Sequence, residues 1–219
     1  MKSINGISSM VTRIDATKKR KTLVGKLEIV AYRVYANAQV YSEVVPATAA
    51  FAVVRAIGPG KSSAGFPLNQ TATATAGSFA ASIFAVTPGE TLTVRVGLVD
   101  GYTTANFPGY SGVAQAGVDR VKADGGGGSA SIGDVVLLGD NGSIGSKVII
   151  GGSQYGDLYD NYSRNIVGLG VQVDAETGAI LKDAGPGGGA AAWYGNGQYR
   201  SWRGGDGIVS IEYYNGDPR

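Results

Sequence analysis

The chain has 219 residues, which is long enough for one or two domains with a buried core, so no metal or disulfide is needed to hold it together. Its formal net charge is +2, charged residues make up 16%, and 36 residues are glycine. Collagen is excluded because it needs glycine at every third position, and 43% hydrophobic residues argue against disorder.

Two residue types are absent. Without cysteine the chain can form no disulfide, thiolate nucleophile or zinc–thiolate site. Without histidine it lacks the commonest general base and the commonest transition-metal ligand, which excludes Ser–His–Asp catalysis and HExxH metalloproteases. We therefore expect no cofactor, no metal site and no enzymatic activity. Glycan hydrolysis by two carboxylates is the open alternative, since it needs only Asp or Glu.

The N-terminal segment is basic. Residues 1–43 hold eight Lys or Arg against three Asp or Glu, including the consecutive cations Lys18, Lys19, Arg20 and Lys21. The first 22 residues contain no apolar core of a secretory signal, and no later stretch suits a membrane-spanning helix. No aromatic residues interleave with the cations, so we expect a solvated tail or a contact with an acidic protein surface, and not a contact with nucleic acid. Residues 1–43 are predicted to be an anchoring segment, and 44–219 a separate domain.

The middle of the chain predicts strands. Residues 23–41 fit either a helix or a strand, and their content of β-formers favours a strand. Phe51–Ile57 and Ser78–Val86 are β-branched and aromatic runs bounded by glycine or proline. Pro88 and Gly89 fit a type II turn. Behind it, Leu92–Val96 alternates apolar and polar residues, as a half-buried strand does.

Glycine dominates the rest of the chain, with 28 of the 36 glycines after residue 100. Apolar fragments interleave with it, unlike in a flexible linker: 134–138, 147–150, 166–167, 170–173 and the closing run Ile208–Tyr214. Glycine at this density lets backbones approach closely and take positive φ at turns. The predicted fold is all-β, with β-sandwich-like strands and a glycine-rich, turn-dense C-terminal module.

An aromatic cluster lies inside that module. Both tryptophans of the chain fall within ten residues, beside two arginines and several glycines. Trp, Tyr and Arg are typical anchors of protein interfaces and suit sugar faces, so a receptor or partner contact is predicted for Trp193, Tyr194, Tyr199, Arg200, Trp202 and Arg203. The alternative is that these rings fill a core that glycine and alanine cannot fill. We expect packing for Trp193 and exposure for Tyr199.

Four segments, taken in order, resemble the glycine-rich domain of tail-fibre and other appendage proteins of tailed bacteriophages. They are the valine strand at 52–58, the Pro-Gly-Glu-Thr-Leu-Thr-Val turn and strand at 86–97, the glycine-rich stretch at 124–133, and the closing Gly-Gly-Asp-Gly-Ile-Val strand at 204–213. The resemblance spans residues 44–214 and leaves 1–43 without a counterpart.

The resemblance implies a non-enzymatic virion structural protein, made in the host cytoplasm. A tail fibre, spike or fibre tip that takes part in host attachment is the leading interpretation. A head fibre or capsid-decoration protein without a receptor role is the first alternative, and a glycan-degrading tailspike is the second. The implied partners are other copies of the chain in a homotrimer, virion proteins bound through the N-terminal segment, and a bacterial surface glycan or outer-membrane protein; no nucleic acid and no membrane insertion are expected.

Overall fold

The computed structural model describes residues 26–61, 72–73, 75–99, 108–126, 132, 135–137, 148–150, 170–174 and 176–219. Within these ranges the chain forms fifteen β-strands and no helix, so the predicted all-β fold is confirmed. The strands are β1 (Ile29–Tyr35), β2 (Val40–Val44), β3 (Phe51–Ile57), β4 (Ala72–Thr73), β5 (Phe79–Ala85), β6 (Thr91–Arg95), β7 (Tyr110–Gln115), β8 (Val118–Asp124), β9 (Val135–Leu137), β10 (Val148–Ile150), β11 (Gln172–Asp174), β12 (Ile180–Lys182), β13 (Ala191–Gly195), β14 (Gln198–Trp202) and β15 (Ile208–Tyr214).

Most predicted strands are confirmed. The bounds of β3 and β15 coincide with the predicted runs, and β5 and β6 lie within one residue of theirs. Gly89, with φ of 80°, provides the positive-φ position of the predicted turn before β6. Residues 23–41, which fit either a helix or a strand in sequence, contain β1. The strand is the alternative that their content of β-formers favoured. The predicted fragment at 166–167 lies outside the described residues.

Two antiparallel sheets form the larger part of the fold, a β-sandwich. One sheet has the order β1-β15-β3-β5-β9 and the other β2-β6-β7-β8. Alternate residues of each strand face the space between the sheets, where Val54, Leu92, Val94, Ile211 and Tyr213 are fully buried. β6 shows this alternation in its burial, whereas β3 and β15 are buried on both faces.

Residues 29–43 are part of this sandwich. β1 pairs with β15 along its length, and β2 pairs with β6 from Val40 to Val44. The hydroxyl of the half-buried Tyr35 donates to the carboxylate of Glu43, and burial and that carboxylate raise the pKa of Tyr35 above its usual range. The predicted boundary at 43/44 falls inside β2, so the folded unit begins further towards the N-terminus. Lys18–Lys21 lie outside the described residues.

The second face of the five-stranded sheet is also buried at its central strands. There the guanidinium of Arg55 on β3 lies 3.3 Å from the carboxylate of Glu212 on β15, with both side chains 3–6% exposed. The hydroxyl of Tyr214 donates to the other oxygen of Glu212 at 2.9 Å. An ion pair this deeply buried depends on both partners, because either charge left alone would be strongly unfavourable.

Two three-stranded sheets, β14-β13-β4 and β10-β11-β12, make a smaller unit. Its core consists of Val171, Val173, Ala191 and Trp193, with Ala184 and Trp202 packed against it. Strands of two to five residues bury little surface on their own, so one large ring fills most of this core.

Glycine-lined backbone joins the two parts. The amide of Gly77 donates to the carbonyl of Gly187 at 2.8 Å, and that of Gly60 donates to Gly205 at 2.9 Å. A Cβ on Gly77 would overlap the backbone of Gly58, so only glycine permits this approach. The predicted close backbone approach is therefore observed. We call this region, residues 57–60, 76–78, 124–126, 185–189 and 204–207, the glycine junction.

Candidate partner-binding surface

Five of the six predicted contact residues lie on one hairpin, formed by β13 and β14, and the sixth, Arg203, follows it directly. Asn196 and Gly197, with φ of 51° and 72°, make its two-residue turn. Positive φ at both central positions is what a type I′ hairpin requires, and Asn-Gly is its strongest sequence signal. The turn places Trp193 directly opposite Arg200, Tyr194 opposite Tyr199, and Ala191 opposite Trp202.

Trp193 is buried, only 3% exposed, and takes the packing role expected for it. Its ring lies against Gly178, where a Cβ would overlap the indole. Its flat face is thus unavailable to a sugar or a partner, and any contact surface on this hairpin has to be formed by other residues. Trp202 is half-buried against the same core.

Arg200 is exposed but held in place. Its Cζ lies 5.8 Å from the centre of the Trp193 ring, within the range of a cation–π contact. One guanidinium nitrogen donates to the carbonyl of Gly178 at 3.2 Å and the other to the side chain of Gln198 at 3.3 Å. These contacts restrict the side chain while its charge stays at the surface. Binding of a partner's acceptor would therefore cost less side-chain conformational entropy.

A turn on the facing sheet sets the position of Gly178. The carboxylate of Asp174 accepts hydrogen bonds from the amides of Glu176 and Thr177 and from the Thr177 hydroxyl, at 2.7–3.0 Å. These bonds, above all that from the Thr177 amide, lower the pKa of Asp174 below its usual value. Sequence reasoning missed Asp174, Thr177 and Gly178, although Asp followed by Thr-Gly is typical of such a turn.

Arg203 belongs to a different contact. It lies 3.6 Å from the carboxylate of Asp206, and both side chains are at least one-third exposed. The same carboxylate accepts from the amide of Val99 at 2.9 Å, and the Asp206 carbonyl accepts from Gly187 at 2.7 Å. Arg203 therefore lies at the glycine junction. The side chains of Tyr194 and Tyr199 are outside the described set, so the exposure expected for Tyr199 stays a prediction.

The described surface offers hydrogen-bond donors and not a metal centre. In the ranges that the structure covers, no three acidic side chains come together as metal ligands. Likewise, no helix of that part of the chain is long and apolar enough to cross a membrane. The exposed donors and amides of the hairpin, Asn196, Gln198, Arg200 and Ser201, suit polar acceptors such as carboxylates or sugar hydroxyls.

Comparisons with known proteins give no family for the chain. No protein-family model matches the sequence, and no curated protein matches it.

Proposed function

We propose that the chain is a non-enzymatic structural protein of a tailed-bacteriophage virion, a component of a tail fibre, spike or fibre tip that takes part in host attachment. One observation supports this proposal most. Three of the four segments by which the sequence resembles glycine-rich appendage domains contribute to the glycine junction: they supply Gly58, Gly125 and the run 204–207.

These segments are far apart in sequence but depend on each other in space. A Cβ on Gly58 would overlap the backbone of Asp124, and the Gly207 amide donates to the Gly97 carbonyl at 2.8 Å. The fourth segment ends at Gly97 and is thus tied to the same place. A pattern of glycines that one tertiary junction requires is stronger support for a shared fold than four unrelated loops would be.

The junction does not depend on a metal or on a particular redox environment. It is held by backbone hydrogen bonds, which need neither a metal nor the redox conditions that disulfides require. Such a scaffold keeps an exposed hairpin in a fixed position, and Arg200 and Gln198 on that hairpin are the residues proposed to contact the host surface. The role of Lys18–Lys21 in anchoring to other virion proteins remains part of the proposal.

Immunogold labelling of intact particles of the virus that encodes the chain tests the location. A specific antiserum should label the distal tail structures, and pre-absorption with the purified chain should abolish the label. Label on the head would favour a head fibre or decoration protein, and no label on particles would overturn a virion role altogether.

Adsorption measurements test the attachment role. Virions carrying Arg200→Ala should adsorb to host cells more slowly, whereas Lys182→Ala, a neighbouring exposed cation on β12, should leave adsorption unchanged. Incubating the purified chain with host polysaccharide should release no reducing ends. Release of oligosaccharides would instead support the glycan-degrading alternative.

A further inference from the structure

The second face of the five-stranded sheet, which points away from the other sheet, is called its outer face below. At β1 this outer face carries an unusual stripe of exposed apolar side chains. Leu27, Ile29, Tyr32 and Val34 are 45%, 46%, 52% and 49% exposed. Isolated exposed hydrophobic residues are common, but four on one face of a strand and of the residues just before it are characteristic of a surface that binds a partner.

A bulge brings these four side chains to the same face. In a regular strand, residues 29 and 32 would point to opposite faces. The pairing with β15 shifts between Ile29 and Ala31, so that Ile29 lies opposite Tyr214 and Tyr32 opposite Glu212, both on the outer face. Leu27 lies beside Gly216 on that same face. The stripe therefore depends on the fold and cannot be read from the sequence by alternation.

Among the described strands, β1 is also an edge strand of its sheet. It is hydrogen-bonded to β15 on one side, and no described strand pairs with its other side. An unpaired edge offers a row of backbone donors and acceptors to another strand. On the outer face, Ser210 and Glu212 of β15 are only 1% and 5% exposed, whereas the side chains of the neighbouring β1 are about half exposed.

We propose that β1 pairs with β1 of a second copy of this chain, antiparallel and around a two-fold axis, so that the five-stranded sheets of the two copies become one. The sequence of β1 suits this pairing. With the axis between residues 30 and 31, Leu27 faces the partner's Val34, and Ile29 faces the partner's Tyr32. Both pairs then lie on the outer face.

Charge complementarity points to a second copy as the occupant. The same register sets Glu28 opposite the partner's Arg33 at both ends of the pairing. Glu28 is 57% and Arg33 48% exposed, and each also has an ion-pair partner in its own chain, Lys26 at 3.9 Å and Glu43 at 3.4 Å. Opposite charges across antiparallel strands stabilise the pair, and like charges destabilise it. This two-fold pairing differs from the homotrimer that the resemblance implies, and the two give different particle masses.

The first experiment measures the mass of the full chain by light scattering at micromolar concentration. Twice the mass of one chain is expected. Tyr32→Lys should place a charge in the stripe and raise the dissociation constant about tenfold or more, while Val44→Lys is the matched control. Val44 is 60% exposed on the outer face of the neighbouring edge strand β2, and its replacement should leave the mass unchanged. A monomer, a trimer, or a dimer that Tyr32→Lys leaves intact would overturn the proposal.

The second experiment distinguishes contact from misfolding. Glu28→Arg and Arg33→Glu should each weaken self-association, because each puts like charges opposite each other in the homodimer. Mixing the two variants should restore a heterodimer, since every pair is then of opposite sign. Arg33→Glu also removes a contact 3.4 Å from Glu43, so circular dichroism of each variant alone must first show a folded chain. Folded variants that stay monomeric after mixing would contradict the proposed register.

Discussion

The larger sandwich and the smaller unit around Trp193 are stabilised in different ways. The sandwich buries many small aliphatic residues from long strands, and its central strand β15 is buried on both faces. The smaller unit has strands of two to five residues and relies on one indole, which lies between a glycine turn and a guanidinium. A large sheet can distribute its stability over many contacts, whereas a small one concentrates it in a few residues.

Trp193→Ala should reveal that difference most strongly. Removing a large buried ring costs about 3–5 kcal/mol, and the smaller unit has few other buried side chains. We expect the fluorescence of Trp202 to report loss of the smaller unit at a temperature where far-UV circular dichroism still shows the sandwich. Trp202→Ala, at a half-buried position, should cost less. A single coincident transition in both signals would mean that the two regions unfold together.

Arg55→Met tests the buried ion pair that Arg55 and Glu212 form in the larger sandwich. Removing one partner of a buried ion pair costs about 3–5 kcal/mol, because the charge of Glu212 is left unpaired. Adding Glu212→Leu to the same chain should recover most of that loss, since two apolar residues fill the space without a charge. Urea denaturation of the single and double variants measures both effects. If the double variant were as unstable as Arg55→Met alone, the loss of stability would come from altered packing and not from the unpaired charge of Glu212.

Gly77→Ala tests the junction between the two regions. The added Cβ would overlap the Gly58 backbone, and overpacking of this kind typically costs about 1–3 kcal/mol. Gly216→Ala is the matched control, because its Cβ would meet only the end of the Leu27 side chain, at an ordinary 3.5 Å. Thermal melts should show a lower midpoint for Gly77→Ala and little change for the control. Equal midpoints would indicate that the backbone of the junction can shift to make room for the added Cβ at little cost in stability.

Acid should have the smallest effect, which we expect at the turn of the smaller unit. The folded state lowers the pKa of Asp174, so its carboxylate stabilises the fold above the unfolded value of 3.8, and this contribution disappears as pH falls through the lower folded value. In a Trp202→Phe background, Trp193 fluorescence should change below pH 4, and Asp174→Asn should remove that step. An unchanged step in the Asn variant would assign it to another carboxylate.

Much of the larger sandwich could be predicted from the sequence. Its central strands β3, β5, β6 and β15 are runs of β-formers with clear turn signals. Of these four, only β6 shows its buried side chains by a two-residue period, because β3, β5 and β15 bury side chains on both faces. The hairpin of β7 and β8 was missed. Its turn is Ala116-Gly117, not Asn-Gly, and a bulge between Val113 and Ala114 shifts the alternation.

The candidate surface was predicted only in part. The sequence by itself determined that the aromatic residues and arginines are close together, that glycine turns flank them, and that the chain is all-β, because these properties follow from local composition and period. Only the tertiary structure decided that Trp193 is buried and Arg200 exposed. That division depends on Gly178, fifteen residues earlier in the chain, which packs against one ring and accepts from one guanidinium. The stripe on β1 was likewise decided by the tertiary structure. Its side chains share one face because of a bulge in β1, and that bulge arises from the pairing with β15 at the far end of the chain.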